Sequence, residues 1–143
     1  MIREFDPDLI FTHRPYDYHP DHRYTSQLVL DASYIVTVPN MQPLTEIPKG
    51  FTRICYLYDT FTRPDPFHPD IVILIDSVLE KKIAMLDCHV SQMYEWIPYN
   101  RGMKDIPTEP RERFEWLKAW RLPLFDRIAD TYRDVLIREL GEK

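Results

Sequence analysis

Glycine and cysteine are both scarce in this chain, and each shortage excludes a class of site. The chain has only 3 glycines, so a glycine-rich phosphate loop or a dinucleotide-binding fingerprint is excluded on composition. The 2 cysteines, Cys55 and Cys88, are too few for a disulfide framework and do not form a Cys-x-x-Cys pair. We expect both to be buried small hydrophobic side chains in a reducing compartment.

Long apolar runs, a signal-peptide pattern and a surplus of basic residues are also missing. No stretch is long and apolar enough to span a bilayer. The N-terminal residues Met1–Asp8 lack the pattern of a secretory signal. The net charge of -5 gives no support for nucleic-acid binding, which normally needs a basic surface. The sequence therefore predicts a cytoplasmic protein with no membrane span and no nucleic-acid partner.

The hydrophobic pattern predicts one α/β domain over residues 1–143. Alternating strands and helices favour a Rossmann-like, mostly parallel sheet with flanking helices, followed by a helical extension over about residues 108–140. The predicted strands are Leu9–Thr12, Arg53–Tyr58 and Ile71–Ile75. The predicted helices are Pro20–Ile35, Ser77–Tyr94, Arg111–Trp120 and a last helix that begins at Pro123. On the first helix, the residues predicted to face the core are Tyr24, Leu28, Ala32 and Ile35.

Titratable residues crowd the turn between the first predicted strand and the first predicted helix. They are His13, Asp17, His19, Asp21 and His22. This turn follows the carboxyl end of a strand, where α/β proteins place their ligand sites. Pro20 at the first helical position puts His19 near the N-cap and His22 in the first turn. The positive end of the helix dipole favours a neutral His22, which is the form that binds a metal.

This crowding predicts a metal-assisted hydrolase site. Asp21 can accept a hydrogen bond from a neighbouring imidazole and so fix its tautomer. We therefore interpret His19 and Asp21 as an acid–base pair and His22 as a metal ligand. Asp17 is expected to hold one of the histidines by a hydrogen bond, and His13 either supports the ligands or simply ends the strand. The competing interpretation is that these residues only cap a helix.

The same residues carry a resemblance to a known family. The run Phe-Asp-Pro-Asp-Leu-Ile-Phe-Thr-His at residues 5–13, followed by Asp-Tyr-His-Pro-Asp-His-Arg at residues 17–23, resembles the second signature of the PIG-L/LmbE-like metal-dependent de-N-acetylases. Glu80-Lys81-Lys82 with Ala84, and then His89-Val90-Ser91-Gln92, is similar to a later Lys…Ala…His-x-Ser-Gln pattern of that family. The resemblance covers roughly the first two-thirds of the chain.

The resemblance implies a Rossmann-like sheet and hydrolysis of an N-acetyl group on an amino sugar or its conjugate. It implies Zn²⁺, or another divalent metal, bound through His22. It further implies that His19 steadies the tetrahedral intermediate or protonates the leaving amine, with Asp21 orienting it. Zinc in such a site activates a water and polarises the acetyl carbonyl. His13 and Asp17 would contact the substrate or support the ligands. His89 either lines the mouth of the site or is an ordinary helix histidine.

The family's first motif, an Ala-His-Pro-Asp-Asp-like segment that supplies two more zinc ligands and the general base, has no counterpart before residue 5. Three strands are also few for an α/β sheet. We therefore expect this chain to be the C-terminal part of such an enzyme, without its N-terminal strands, and to form a homo-oligomer. One alternative is a truncated, non-catalytic module of the same fold that is completed by oligomerisation. Another is a different metallohydrolase that uses His19 and His22 with either His13 or Asp17.

Overall fold

The computed structural model describes residues 1–141, apart from the side chains of residues 139 and 140. Contacts divide the chain into two compact units, Met1–His68 and Pro69–Lys143. The described residues contain six α-helices and a two-stranded parallel sheet, which makes the fold mixed α/β with a helical C-terminal part. The elements are α1 (Ile2–Phe5), β1 (Leu9–Thr12), α2 (Pro20–Ile35), β2 (Arg53–Tyr56), α3 (Leu79–Asp87), α4 (Ile97–Asn100), α5 (Pro110–Thr131) and α6 (Arg133–Leu140), with 3-10 turns at Pro39–Met41 and Asp76–Val78 and a π-helix at Ser91–Trp96.

The first unit is built on a β–α–β connection. β1 and β2 pair in parallel, with Leu9 opposite Arg53 and Thr12 opposite Tyr56. The ladder begins one residue earlier, because the Arg53 N–H donates to the Asp8 carbonyl at 3.0 Å. Parallel strands need a crossover between them, and α2 supplies it. The predicted bounds of the first strand and of the first helix are confirmed.

The side of α2 that packs towards the strands differs from the predicted one. Val29 lines the same small cavity as Ile10 of β1, and Ser26, which lies one turn earlier on that face, is fully buried. Tyr24 and Leu28, which were predicted to face the core, are exposed. The predicted apolar stripe is wrong because a small polar residue, Ser26, occupies the inward position and the larger side chains point away from it.

Arg3 ties the end of α2 to the loop that follows. Its guanidinium group donates to the carbonyls of Val36 and Gln42, both at 2.8 Å, and also to those of Val38 and Thr45. These carbonyls lie at and beyond the C-terminus of α2, where backbone acceptors have no partner inside the helix. One side chain from α1 therefore organises a loop that has no periodic pattern of its own.

The second unit is helical and holds the apolar core of the described residues. Ile83 of α3 and Leu117 of α5 are fully buried, and Met93 and Tyr94 of the π-helix pack with them. In the first unit, by contrast, the side chains that are buried among the described residues are polar. They are Thr12, Asp17 and Ser26. The buried side chains are therefore polar in the first unit and mainly apolar in the second.

Two predictions about the start of the second unit are wrong. Ile71–Ile75 forms no strand, and its aliphatic side chains are largely exposed, because no strand of the described residues pairs with it. The helix predicted to reach Tyr94 ends at Asp87, and a π-helix follows. Cys88, which lies at this break, is exposed and not buried as expected, whereas Cys55 of β2 is half-buried. A widened π turn re-aims side chains, and here the Tyr94 hydroxyl reaches back to Asp87.

The predicted boundary between the two C-terminal helices is also wrong. α5 runs without interruption through Pro123, and the break comes at Tyr132, before α6. Proline removes one helical hydrogen bond, but here the flanking turns of a long helix continue on both sides of it. Across residues 1–141, no helix combines the length and the apolar character that a membrane crossing requires.

Candidate metal and acid–base site

The predicted site lies in the first unit, where β1 ends and α2 begins. Thr12 closes β1, and His19, in extended conformation with φ -76°, is the N-cap residue of α2. Pro20 occupies the first helical turn, as its position in the sequence predicted. The loop between these elements brings four of the predicted residues together. They are His13, Asp17, His19 and His22.

The carboxylate of Asp17 organises this cluster. Asp17 is only 6% exposed, and its Oδ1 accepts a hydrogen bond from the His19 N–H at 2.8 Å. Its Oδ2 lies 2.9 Å from His22 Nδ1 and 3.9 Å from His13 Nδ1. Its backbone carbonyl accepts a hydrogen bond from Arg23 Nη1 at 2.9 Å. Asp17 therefore links the loop to the first turn of α2 through both its side chain and its backbone.

The pKa of Asp17 is held below its ordinary value of 3.8. Burial acts to raise this pKa, but the hydrogen bonds from the His19 N–H and His22, with the charges of His22 and His13, together outweigh it. The carboxylate is therefore ionised at neutral pH and can only accept hydrogen bonds, so the proton between the two groups belongs to His22 Nδ1. In a neutral His22 ring, that tautomer leaves the Nε2 lone pair free.

Three imidazole rings lie against one another beside this carboxylate. The ring centroids of His13 and His22 are 4.0 Å apart with an interplanar angle of 6°, and those of His19 and His22 are 4.6 Å apart at 27°. The His13 and His22 side chains are 36% and 43% exposed, respectively. Solvent therefore reaches both rings.

His19 presents a buried polar atom to the cluster. Its Nδ1 is buried and has no hydrogen-bond partner within residues 1–141, although its backbone N–H is fixed by Asp17. The Tyr18 ring meets the His19 ring edge-on, with centroids 6.2 Å apart. A buried polar atom without a partner costs about 1–3 kcal/mol, so the His19 ring is suited to meet a ligand or a transferred proton.

Asp21 and His89 are placed differently from the other predicted residues. Asp21 is exposed in the first turn of α2. Among the hydrogen bonds of the described residues, none joins Asp21 to His19, and Asp17 provides the carboxylate instead. His89 belongs to the second unit, where it is exposed just beyond α3 and its carbonyl accepts from the Met93 N–H at 2.8 Å. The predicted role of His89 near the site stays a prediction.

An arginine–aspartate pair that the sequence reasoning missed holds the site loop in place. Arg14 Nε and Nη2 donate to the two carboxylate oxygens of Asp59 at 2.7 and 2.6 Å, and these side chains are only 11% and 13% exposed. Arg14 also donates to the carbonyls of Phe61 and Asp65. The signal that could have found the pair is position, since Arg14 follows β1 and Asp59 follows β2, and the ends of parallel neighbours lie at the same edge of a sheet.

The donor atoms of the cluster suit a divalent transition metal. His13, Asp17 and His22 can each offer one ligand atom, and these atoms lie within 4.8 Å of one another. Two imidazoles and a carboxylate form a three-ligand set of the kind that catalytic zinc uses. Ligand atoms at about 2.0–2.1 Å from zinc are about 3.3 Å apart in a tetrahedral site, so the group must close by up to about 1.5 Å and one of the parallel rings must turn. The exposure of both rings permits this, and the group could hold a metal ion.

Comparison with known proteins leaves the family open. No family model, no curated protein and no solved structure matches this chain. Membership of the PIG-L/LmbE-like family therefore stays a prediction from the motif at residues 5–23.

Proposed function

We propose that this chain carries the metal and acid–base site of a zinc-dependent hydrolase that removes an N-acetyl group from an amino sugar or its conjugate. The observation that carries the proposal is the group formed by His13, Asp17 and His22 at the carboxyl end of β1, with the His19 ring against it. The motif resemblance supports the substrate class and a Rossmann-like sheet. The arrangement of donor atoms supports the metal and the acid.

His13, Asp17 and His22 are the proposed metal ligands. A ligating nitrogen must be unprotonated, so His22 would hold the ion through Nε2, which its tautomer leaves free, or through Nδ1 once the proton shared with Asp17 is lost. A divalent ion held there supplies Lewis acidity, which activates a water and polarises an acyl carbonyl. The motif resemblance implies only His22 as a metal ligand from this segment. The nearness of Asp17 Oδ2 to the rings of His22 and His13 supports a set of three ligands.

His19 is the proposed general acid. Asp17 fixes its backbone, and its ring lies 4.6 Å from that of a proposed ligand, His22. Its buried Nδ1 has no other partner among the described residues. An imidazole in this position can deliver a proton to the leaving amine, and amide hydrolysis needs this proton because an amine leaves poorly as an anion.

Zinc content of purified variants tests the ligand set. We expect about one zinc per chain in the wild type by elemental analysis, and loss of zinc in His22→Ala and in His13→Ala. His68→Ala is the matched control, because His68 is an exposed histidine of the same unit, and it should keep its zinc. Retention of zinc by His13→Ala with loss in His22→Ala would remove His13 from the set. Retention by both variants would show that the cluster is not the metal site.

Acetate release tests the reaction separately. His19→Ala should keep its zinc but release acetate from an N-acetylglucosamine conjugate at least about 100-fold more slowly than the wild type, as the loss of a general acid predicts. A zinc-loaded wild type that releases no acetate would refute deacetylase activity of this chain by itself while leaving the metal site in place.

A second candidate is a non-catalytic module completed by oligomerisation. Phe5 and Phe11 are exposed next to the sheet, and within the described residues each strand has one neighbour and one open edge. Exposed aromatic side chains beside open edges favour association. Sedimentation equilibrium should then show an oligomer that Phe11→Lys dissociates, and a monomeric wild type would exclude this candidate.

A further inference from the structure

Two arginines of the second unit lie over the same indole ring. The guanidinium carbon of Arg121, in α5, is 3.9 Å from the centroid of the Trp120 ring, and that of Arg101, directly after α4, is 5.8 Å from it. Attraction between a cation and an aromatic face explains why each group lies there. This attraction does not itself use the N–H donors at the edges of the guanidinium groups.

The donors of Arg121 lack strong acceptors. Its Nη2 donates to Met93 Sδ at 3.1 Å, and a thioether is a weak acceptor. Its Nε is buried with no partner within the part of the chain that the structure describes. A guanidinium group offers five N–H donors and rarely leaves them unused when it is shielded from water. Arg121 therefore has hydrogen-bonding capacity that the described residues do not meet.

The charge around these arginines is also unbalanced. None of the ion pairs among the described residues includes Arg101 or Arg121. Burial lowers the pKa of Arg121, and the like charge of Arg101 lowers it further. The chain has 23 acidic and 18 basic residues, so this pair lacks a carboxylate although acids are in excess overall. Attraction to the indole accounts for the position of both guanidinium groups, but it supplies no anion to balance two neighbouring cations.

We propose that Arg101 and Arg121 bind a phosphate group, with Trp120 holding both guanidinium groups in place. The planar fork of a guanidinium group matches the oxygens of a phosphate, and two such forks can bind one anion together. A phosphate monoester carries about -1.5 to -2 charges at neutral pH, which balances two cations better than one carboxylate does. Arg101 is exposed, so the ligand enters from solvent, and the partly buried Arg121 is already ordered on the ring. This site is independent of the proposed hydrolase.

Titration of the full chain with inorganic phosphate and with phenyl phosphate tests the proposal, with the side-chain Nε–H signal of Arg121 followed by NMR. We expect saturable binding that shifts this signal, and at least a tenfold weaker affinity in Arg101→Gln and in Arg121→Gln, as the loss of a charged hydrogen-bond donor predicts. Tighter binding of phenyl phosphate would assign an organic phosphate, and equal binding would assign free phosphate.

Arg111→Gln is the matched control, because Arg111 is an exposed arginine of α5 and its replacement changes the net charge equally. It should change the affinity less than about twofold, since screened surface charges contribute little. Equal weakening by Arg111→Gln, binding that does not saturate, or equal displacement by chloride would overturn the proposal. If Arg121→Gln fails to fold, the exposed Arg101→Gln decides the outcome.

Discussion

Replacement of Asp17 by alanine removes, in one step, the acceptor for the His19 N–H and the partner of the His22 ring. The two hydrogen bonds measure 2.8 and 2.9 Å. A hydrogen bond to a charged group contributes about 1.5–3 kcal/mol, but the His22 side chain is 43% exposed, so water replaces much of its share. We count the His19 bond in full and the His22 bond in part. We therefore expect Asp17→Ala to lower the free energy of local opening of the first turn of α2 by about 3 kcal/mol.

Amide hydrogen exchange at His19 and along α2 measures this loss directly. About 3 kcal/mol corresponds to roughly a hundredfold faster exchange. Tryptophan fluorescence is not a suitable probe of this turn, because Trp96, Trp116 and Trp120 all belong to the second unit. Asp21→Ala is the matched control, since it removes an exposed carboxylate from the same turn of the helix, and it should change the exchange rate by less than about threefold.

The effect of Asp17 should depend on pH in a defined direction. Because the pKa of the folded carboxyl group lies below 3.8, its stabilising contribution is complete above about pH 5 and is lost as the pH falls through the lowered value. The protection of His19 in the wild type should fall over that acid range, and in Asp17→Ala it should not. If the His19 amide exchanged no faster in Asp17→Ala than in the wild type, Asp17 would not organise the turn. The proposed ligand set would then lose its main support.

Three further substitutions test the packing of both units. Tyr94→Phe removes the hydroxyl that donates to Asp87 at 2.6 Å, and urea denaturation should show a loss of about 1.5–3 kcal/mol, whereas an unchanged midpoint would contradict that bond. Leu117→Ala opens a cavity at a fully buried position, and tryptophan fluorescence should report a loss of about 3 kcal/mol; a loss below about 1 kcal/mol would show that the core is loosely packed. Arg3→Met removes the donor to four carbonyls, and exchange of the Thr45 amide should accelerate about tenfold, with no change if the loop is held by other contacts.

Local signals in the sequence were sufficient for the first strand and the first helix. The apolar run at Leu9–Thr12 begins after Asp6-Pro7-Asp8, and Pro20 can only begin a helix at a position where its missing N–H is not needed. The clustering of His13 and His22 also followed from the sequence, because both lie close to one strand-to-helix turn. Features determined within a few residues of chain could therefore be predicted.

Features that depend on distant partners could not be predicted. The predicted hydrogen bond from a histidine to Asp17 is present, but the sequence did not predict that Asp17 would replace Asp21 beside His19. Asp17 is folded inward by a loop that is held by Asp59, 45 residues from its partner Arg14. The run Ile71–Ile75 has the composition of a buried strand but no neighbouring strand among the described residues. The composition of a segment shows that it can form a strand, but it forms one only where another strand is available to pair with it.

The contrast between buried polar residues in the first unit and a buried apolar core in the second has a thermal consequence. The heat capacity change of unfolding grows with the apolar area that unfolding exposes and falls with the polar area. The first unit, in which Thr12, Asp17 and Ser26 are the buried side chains among the described residues, should therefore have the smaller heat capacity change per residue. Its stability should vary little with temperature, whereas that of the second unit should curve and weaken on cooling. Amide exchange measured at several temperatures on residues of each unit should therefore show opening free energies with a different temperature dependence in the two units.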